Sequence, residues 1–297
     1  MKTILILIKR NIKLFFKDKG MFFTSLITPA ILLVLYASFL ANVYRDSFTT
    51  NFPEGLNISK NVIEGLVGGQ LISSLLAVSC ITVAFCSNFL MVQDKVNGTI
   101  KDLTISPVKS SHLAISYYFA TIISTLIICY IALIICLIYV GIVGWFLSVI
   151  DVLLLVFDVT LLALFGTALS SVVNFFLSSQ GQISAVGTIV SSGYGFICGA
   201  YMPISSFSEG LKNIISFLPG TYGTSIVRNH SMRGVLKELE SLKLPNEVMD
   251  SLKDALDFNL YFFDNKVDNL VKYVVLVASI VLLVGVYIIL NKFKKRA

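Results

Sequence analysis

Long apolar runs, all but one of them uncharged, alternate along this chain with short, charged ones. Six of the runs, at about 21–40, 66–92, 113–140, 149–175, 183–201 and 273–290, approach or exceed the roughly 20 apolar residues that a helix needs to cross a hydrocarbon layer. The third ends where Gly141 and Gly144 break the pattern, with Trp145 as an interfacial anchor. Ser178 to Gln182 form a turn between the fourth and fifth, the fifth stops before Pro203, and the sixth meets Lys292, Lys294, Lys295 and Arg296. The pattern predicts an all-α polytopic membrane protein with six transmembrane helices in a single domain, 1–297.

Three other stretches carry a helical period without being long enough to span. In 1–20, Lys2, Lys9, Arg10, Lys13 and Lys17 fall in a sector about 100° wide, while Leu5, Leu7, Ile8, Ile12, Leu14 and Phe15 face elsewhere. That predicts an interfacial amphipathic helix anchored by anionic membrane lipids. In the polar stretch 93–108, an apolar stripe of Val92, Val96, Ile100 and Leu103 recurs at intervals of four and three, and Pro107 stops it. Asp94, Lys95, Lys101 and Asp102 keep this segment in water, so its stripe needs a protein partner. The long segment 203–272 starts with Ser206 and Glu209 at capping-box spacing, followed by Leu211, Ile214, Ile215 and Leu218 on one face. Pro219 and Gly220 break that helix, and Thr221 to Val227 is too short to span, which predicts a re-entrant pair buried against the other helices. Val248, Leu252 and Leu256 predict a further small amphipathic helix.

Composition agrees with the pattern: 56% of residues are hydrophobic and only 13% charged, against about 25% charged in soluble domains. Charge also predicts orientation. With the N-terminus inside, the cytoplasmic pieces hold thirteen Lys or Arg against three acids, Asp18, Asp94 and Asp102. The 45–65 loop holds two bases against three acids, and 203–272 holds eight against nine. Both termini are therefore expected in the cytoplasm of a bacterial cell. The N-terminus has the wrong shape for a cleaved signal, since bases flank its short apolar run on the far side.

Candidate chemistry is sparse. Cys80, Cys86, Cys129, Cys136 and Cys198 all lie in apolar runs and read as small buried hydrophobes, with neither disulfides nor a metal site expected. No GxxxxGK[ST], HExxH or GxSxG motif occurs, so no catalytic residue is assigned and the chain is not its own P-loop ATPase. His112 and His230 fall near opposite membrane faces. Asp151 and Asp158 share one face of the fourth span without an evident basic partner, Asp158 about 10 Å deeper. Asp158 reads either as a substrate or proton site or as a helix–helix hydrogen-bonding residue. Gly195 and Gly199 read either as a small-xxx-small contact or as relief for a bend near Pro203.

Taken in order, these elements resemble the permease subunit of type-2 ABC exporters over nearly the whole chain. Many members carry E-x-x-x-G-T-x-x-x-L-x-x-x-P-V after the second span; here Asp94 stands in the Glu position, followed by Gly98, Thr99, Leu103, Pro107 and Val108. Lys95 and Lys101 dilute the family's acidic pattern. Gly199 to Pro203, then Pro219, Thr221 and Tyr222, look like the G-x-x-x-P to P-x-T-Y region of drug-type members. The resemblance implies that 93–108 is a coupling helix docking into a separate cytoplasmic ABC ATPase through Asp94, Val96, Gly98, Thr99, Ile100, Leu103 and Pro107. It implies ATP and magnesium on that partner rather than on this chain, and a second permease copy, identical or paralogous. Asp158, Gly195, Gly199, Pro203 and Pro219 are the candidate translocation or packing residues. The low charge of the spans points to an apolar or amphipathic cargo such as a drug, toxin or lipid-like product, and no nucleic-acid partner is expected. The alternatives are polysaccharide export, an ion-coupled transporter using Asp158, and a membrane-embedded enzyme.

Overall fold

The computed structural model describes residues 2–51, 58–105, 108–242, 245–263 and 265–293. Helix α1 (Lys2–Lys17) leads through Asp18, whose side chain caps the Met21 amide, into α2 (Lys19–Leu35). A π-turn at Tyr36–Leu40 carries the same axis into α3 (Ala41–Asn51). Then come α4 (Lys60–Val96), α5 (Thr99–Ile105), α6 (Ser110–Val143), α7 (Val149–Phe176) and α8 (Gln180–Ile197). Short α9 (Glu209–Ile215) precedes α10 (Pro219–Ser241) and α11 (Asn246–Ala255). A hairpin of β1 (Tyr261–Phe262) and β2 (Asn265–Lys266), paired antiparallel, leads into α12 (Asn269–Phe293).

Helix α4 is the axis of the bundle. Every residue from Val62 to Val92 is buried, and α2, α6, α7, α8 and α10 pack around it. Its sequence explains the central place: Ser73, Ser74, Ala77, Ser79 and Cys80 keep the surface narrow, so neighbouring backbones approach closely. Gly166 of α7 marks the tightest approach, since a Cβ there would sit 2.7 Å from the Cys80 carbonyl oxygen. The burial of α4 contrasts with α12, whose apolar residues are largely exposed, as befits a lipid-facing helix.

Among the described residues, five helical stretches are long and apolar enough to cross a membrane: Lys19–Asp46, Lys60–Val96, Ser110–Val143, Val149–Phe176 and Asn269–Phe293. The expected span at 183–201 corresponds to α8, which forms but falls outside this group. Gln180, Gln182 and a run of Gly and Ser make it too polar to face lipid on every side.

The segment after α8 departs from the sequence expectation. Ser206 closes a 3-10 turn, and the cap of α9 is Ser208, which makes no side-chain capping bond. Pro219 divides the helix before it from the one after, as expected, but the second helix runs to Ser241 rather than ending near Val227; Pro219 opens it because the first turn of a helix has no use for the missing N–H. The resulting α10 packs along α4, α7 and α12, burying nearly all its residues from Gly220 to Leu239. The external helix predicted around Val248 is α11, with Met249 and Leu252 turned inward.

Candidate functional site

At the end of the bundle where α1 crosses α6, the last turn of α4 meets three other helices. Asp94 is buried there, and Arg10 of α1 approaches its Oδ2 at 2.7 Å while the Tyr117 hydroxyl of α6 donates to the same oxygen at 2.5 Å. Arg10 also donates to Asn11, and Asn11 reaches Ser116 Oγ at 3.4 Å, so α1 is bonded to both α4 and α6. Burial pulls the Arg10 pKa down, but the hydrogen bond and charge of Asp94 outweigh it and leave the guanidinium above its ordinary value. On the other side of α4, Lys95 Nζ donates to the carbonyls of Asn174, Phe175 and Leu177 at 3.1, 2.8 and 3.1 Å. Those are orphan acceptors of the α7 C-terminus, where a cation also complements the helix dipole. Two adjacent residues thus tie α4 to α1, α6 and α7.

Immediately beyond, the chain turns. Gly98 has φ +78°, a conformation that costs an L side chain roughly 1–2 kcal/mol, and it separates α4 from α5. The helix expected to run unbroken through 93–108 is therefore two: Val92 and Val96 belong to α4, Ile100 and Leu103 to α5. The stripe is split accordingly. Val92 is inside the bundle, and Leu103 packs half-buried against the core of its own chain. Ile105, at 85% exposure, and Val96 are the large apolar residues left outward, beside exposed Lys101 and Asp102. Pro107 lies outside the described residues.

From this end a groove of about 740 Å³ rises between α2, α4 and α8. Thr24, Thr28, Ser184, Thr188 and Ser191 alternate in its lining with Ile27, Ile31, Phe89 and Ile183, and among the described residues Asp18 is the one charged side chain there.

At the opposite end, Asp158 of α7 receives a partner that sequence spacing hid. His230 Nδ1 of α10 lies 2.5 Å from one carboxylate oxygen, and the Tyr273 hydroxyl of α12 donates to the other at 2.6 Å. Asp158 sits about 27 Å along α7 from its C-terminus and about 13 Å from its N-terminus. Asp151, about two turns earlier on the same face, closes a capping box with Ser148 and pairs with Arg233 at 2.5 Å. Arg228, only 1% exposed, pairs with Asp257 at 3.2 Å and donates to the Gly199 carbonyl at 2.7 Å. Burial pushes the Asp257 carboxyl up, opposed by Arg228 and by the amides of Ile204 and Ser205. Gly195 and Gly199 pack within this corner, against Tyr201 and Ile204, so their close contacts are with their own chain.

These features define a class: a nearly all-helical, multi-pass membrane protein whose central helix ends in a pinned corner followed by a short helix. The sequence profile of the ABC-2 type transporter family matches residues 2–230, and the chain belongs to that family. It is a transmembrane component of an ABC-2 transporter, a permease rather than a catalyst, and permeases of this kind generally pair with an ATPase subunit. No curated protein matches the chain significantly.

Proposed function

We propose that this chain is the transmembrane subunit of an ATP-driven exporter, with α5 as the element pushed by a separate cytoplasmic ATPase. The observation that carries the reading is the pinned corner. Asp94 and Lys95 join the end of α4 to α1, α6 and α7, and Gly98 places α5 directly beneath it. A load on α5 enters α4, the helix that every major neighbour contacts, so the bundle tilts as bodies instead of deforming locally. In this reading α8 is the sixth crossing, and both termini and α5 lie in the cytoplasm, as the basic residues of 1–20 and 93–109 favour.

The groove between α2, α4 and α8 suits an apolar or amphipathic cargo. Its hydroxyls offer hydrogen bonds along one wall and its aliphatic residues offer dispersion, while no basic residue lines it for a polyanionic polymer. A second permease copy packs beside α8, because a helix with this much Gly, Ser and Gln is costly to leave against lipid on every side. ATP and magnesium bind on the partner, not here. An ion-coupled mechanism through Asp158 is disfavoured by its partners, His230 and Tyr273, which occupy both carboxylate oxygens.

Purified alone, the chain is expected to hydrolyse no ATP, and transport in vesicles is expected only with a co-purified ATPase. ATP hydrolysis by the isolated chain, or gradient-driven transport without nucleotide, would overturn the reading.

A further inference from the structure

A second cavity, of about 570 Å³, lies at the end of the bundle opposite α1, between α9, the start of α10 and the chain that follows α11. Its charged lining is Glu209, Lys212, Asp254 and Asp257. Asp257 is paired with Arg228, so among the described residues one ammonium and two carboxylates face the space. Among the described residues neither Lys212 nor Glu209 makes an ion pair. One oxygen of Asp254 accepts from Asn259 and Tyr261.

Beside this polar lining stands an aromatic cluster. Phe217, Phe262 and Phe263 meet edge-on with centroids 5.0–6.0 Å apart. Phe217 is 64% exposed and Phe263 48%. Two such exposed rings, with Phe262 half-buried between them, offer an apolar surface beside the polar lining. Thr221 lines the cavity, and nearby Gly223 packs against Leu162 and Leu276, about 10 Å along α12 from its start.

We propose that this cavity binds the head group of an aminophospholipid. The phosphate sits on Lys212, the ammonium donates to Glu209 and Asp254, and the acyl chains lie against the three phenylalanines. The charge count selects the ligand class. A lining with one cation and two carboxylates repels an anionic head group, and a choline head group has no N–H to give the carboxylates. The site requires only that the chain spans a membrane, so failure of the ATPase-coupling reading leaves it standing.

Native mass spectrometry of the full-length protein, loaded with equal amounts of phosphatidylethanolamine, phosphatidylglycerol and phosphatidylcholine of matched chains, tests it. Phosphatidylethanolamine should be retained about five-fold or more over the others. Lys212→Gln and Glu209→Gln should each remove most of that preference, while Lys237→Gln, exposed on α10 outside the cavity, should not. Phe263→Ser should lower retention of all three lipids but keep their ranking. Equal retention of the three lipids by the unmodified protein would overturn the proposal, as would an undiminished preference in the Lys212→Gln, Glu209→Gln double variant.

Discussion

Asp94 carries more of the architecture than any other single side chain at the α5 end. Its side chain is 8% exposed and that of Arg10 27%, so the pair lies between a surface ion pair, worth about 0–1 kcal/mol, and a buried one, whose breakage costs about 3–5 kcal/mol. Asp94→Asn and Arg10→Gln are each expected to lower stability by roughly 1–3 kcal/mol, and the double variant should fall well short of their sum. A denaturation-based double-mutant cycle on the solubilised protein measures this; full additivity would mean that the two groups do not interact. Asp158→Asn should weaken packing among α7, α10 and α12 yet leave transport dependent on ATP and insensitive to collapse of the proton gradient. Sequence alone marks Asp94 by its place in the G-T motif, but not its partners. Arg10 sits in a sector that reads as lipid-facing, and only the crossing of α1 over α6 turns it inward. His230 is 72 residues from Asp158, and no local spacing could pair them.

At the scale of elements, the decisive feature is the corner between α4 and α5. The four-and-three spacing of Val92, Val96, Ile100 and Leu103 reads as one helix because a periodic pattern does not register a single left-handed residue. Gly98 was visible in the sequence, but glycine inside a helical pattern is tolerated often enough to hide a break. The consequence is a redistribution of roles. Leu103→Asp should damage the chain itself, because a half-buried apolar side chain worth roughly 1.5–3 kcal/mol when fully buried would become a carboxylate facing its own core. Ile105→Asp should leave melting temperature and insertion unchanged while weakening association with the ATPase and abolishing transport. Thermal unfolding paired with co-purification separates the two; equal destabilisation by both would show that α5 buries both residues. Gly98→Ala should keep the ATPase bound but reduce transport severalfold, since the strained corner no longer holds α5 in line with α4. Helix α8 makes the complementary point: its period and length were legible, but its Gly, Ser and Gln content makes it the one expected span too polar to stand in lipid unaided.

Across the whole molecule, hydropathy exposed the membrane class and most of the helices, because an apolar core roughly 30 Å thick dictates helix length almost independently of packing. Hydropathy by itself could not reveal that α4 is central and α12 peripheral, since both pass as apolar spans; the difference lies in the small and polar residues of α4, such as Ser73, Ser74, Ser79 and Asn88, which a hydropathy average does not register. The re-entrant reading of 203–272 came from Pro and Gly punctuation; the long α10 was hidden because Pro219 starts it, and because its polar residues Arg228, His230 and Arg233 find acidic partners only in the folded bundle. The account rests on α5 meeting an ATPase in the cytoplasm. The five native cysteines are all buried, so an introduced thiol is the reactive one. The most direct measurement is therefore Ile105→Cys, treated with a short bifunctional crosslinker in membranes holding the co-expressed ATPase, beside Asp250→Cys on the exposed face of α11. The account predicts that Ile105→Cys crosslinks to the ATPase and is shielded from impermeant reagents in intact cells, whereas Asp250→Cys labels from outside and crosslinks to no ATPase. External labelling of Ile105→Cys, or an ATPase joined at Asp250→Cys instead, would contradict it.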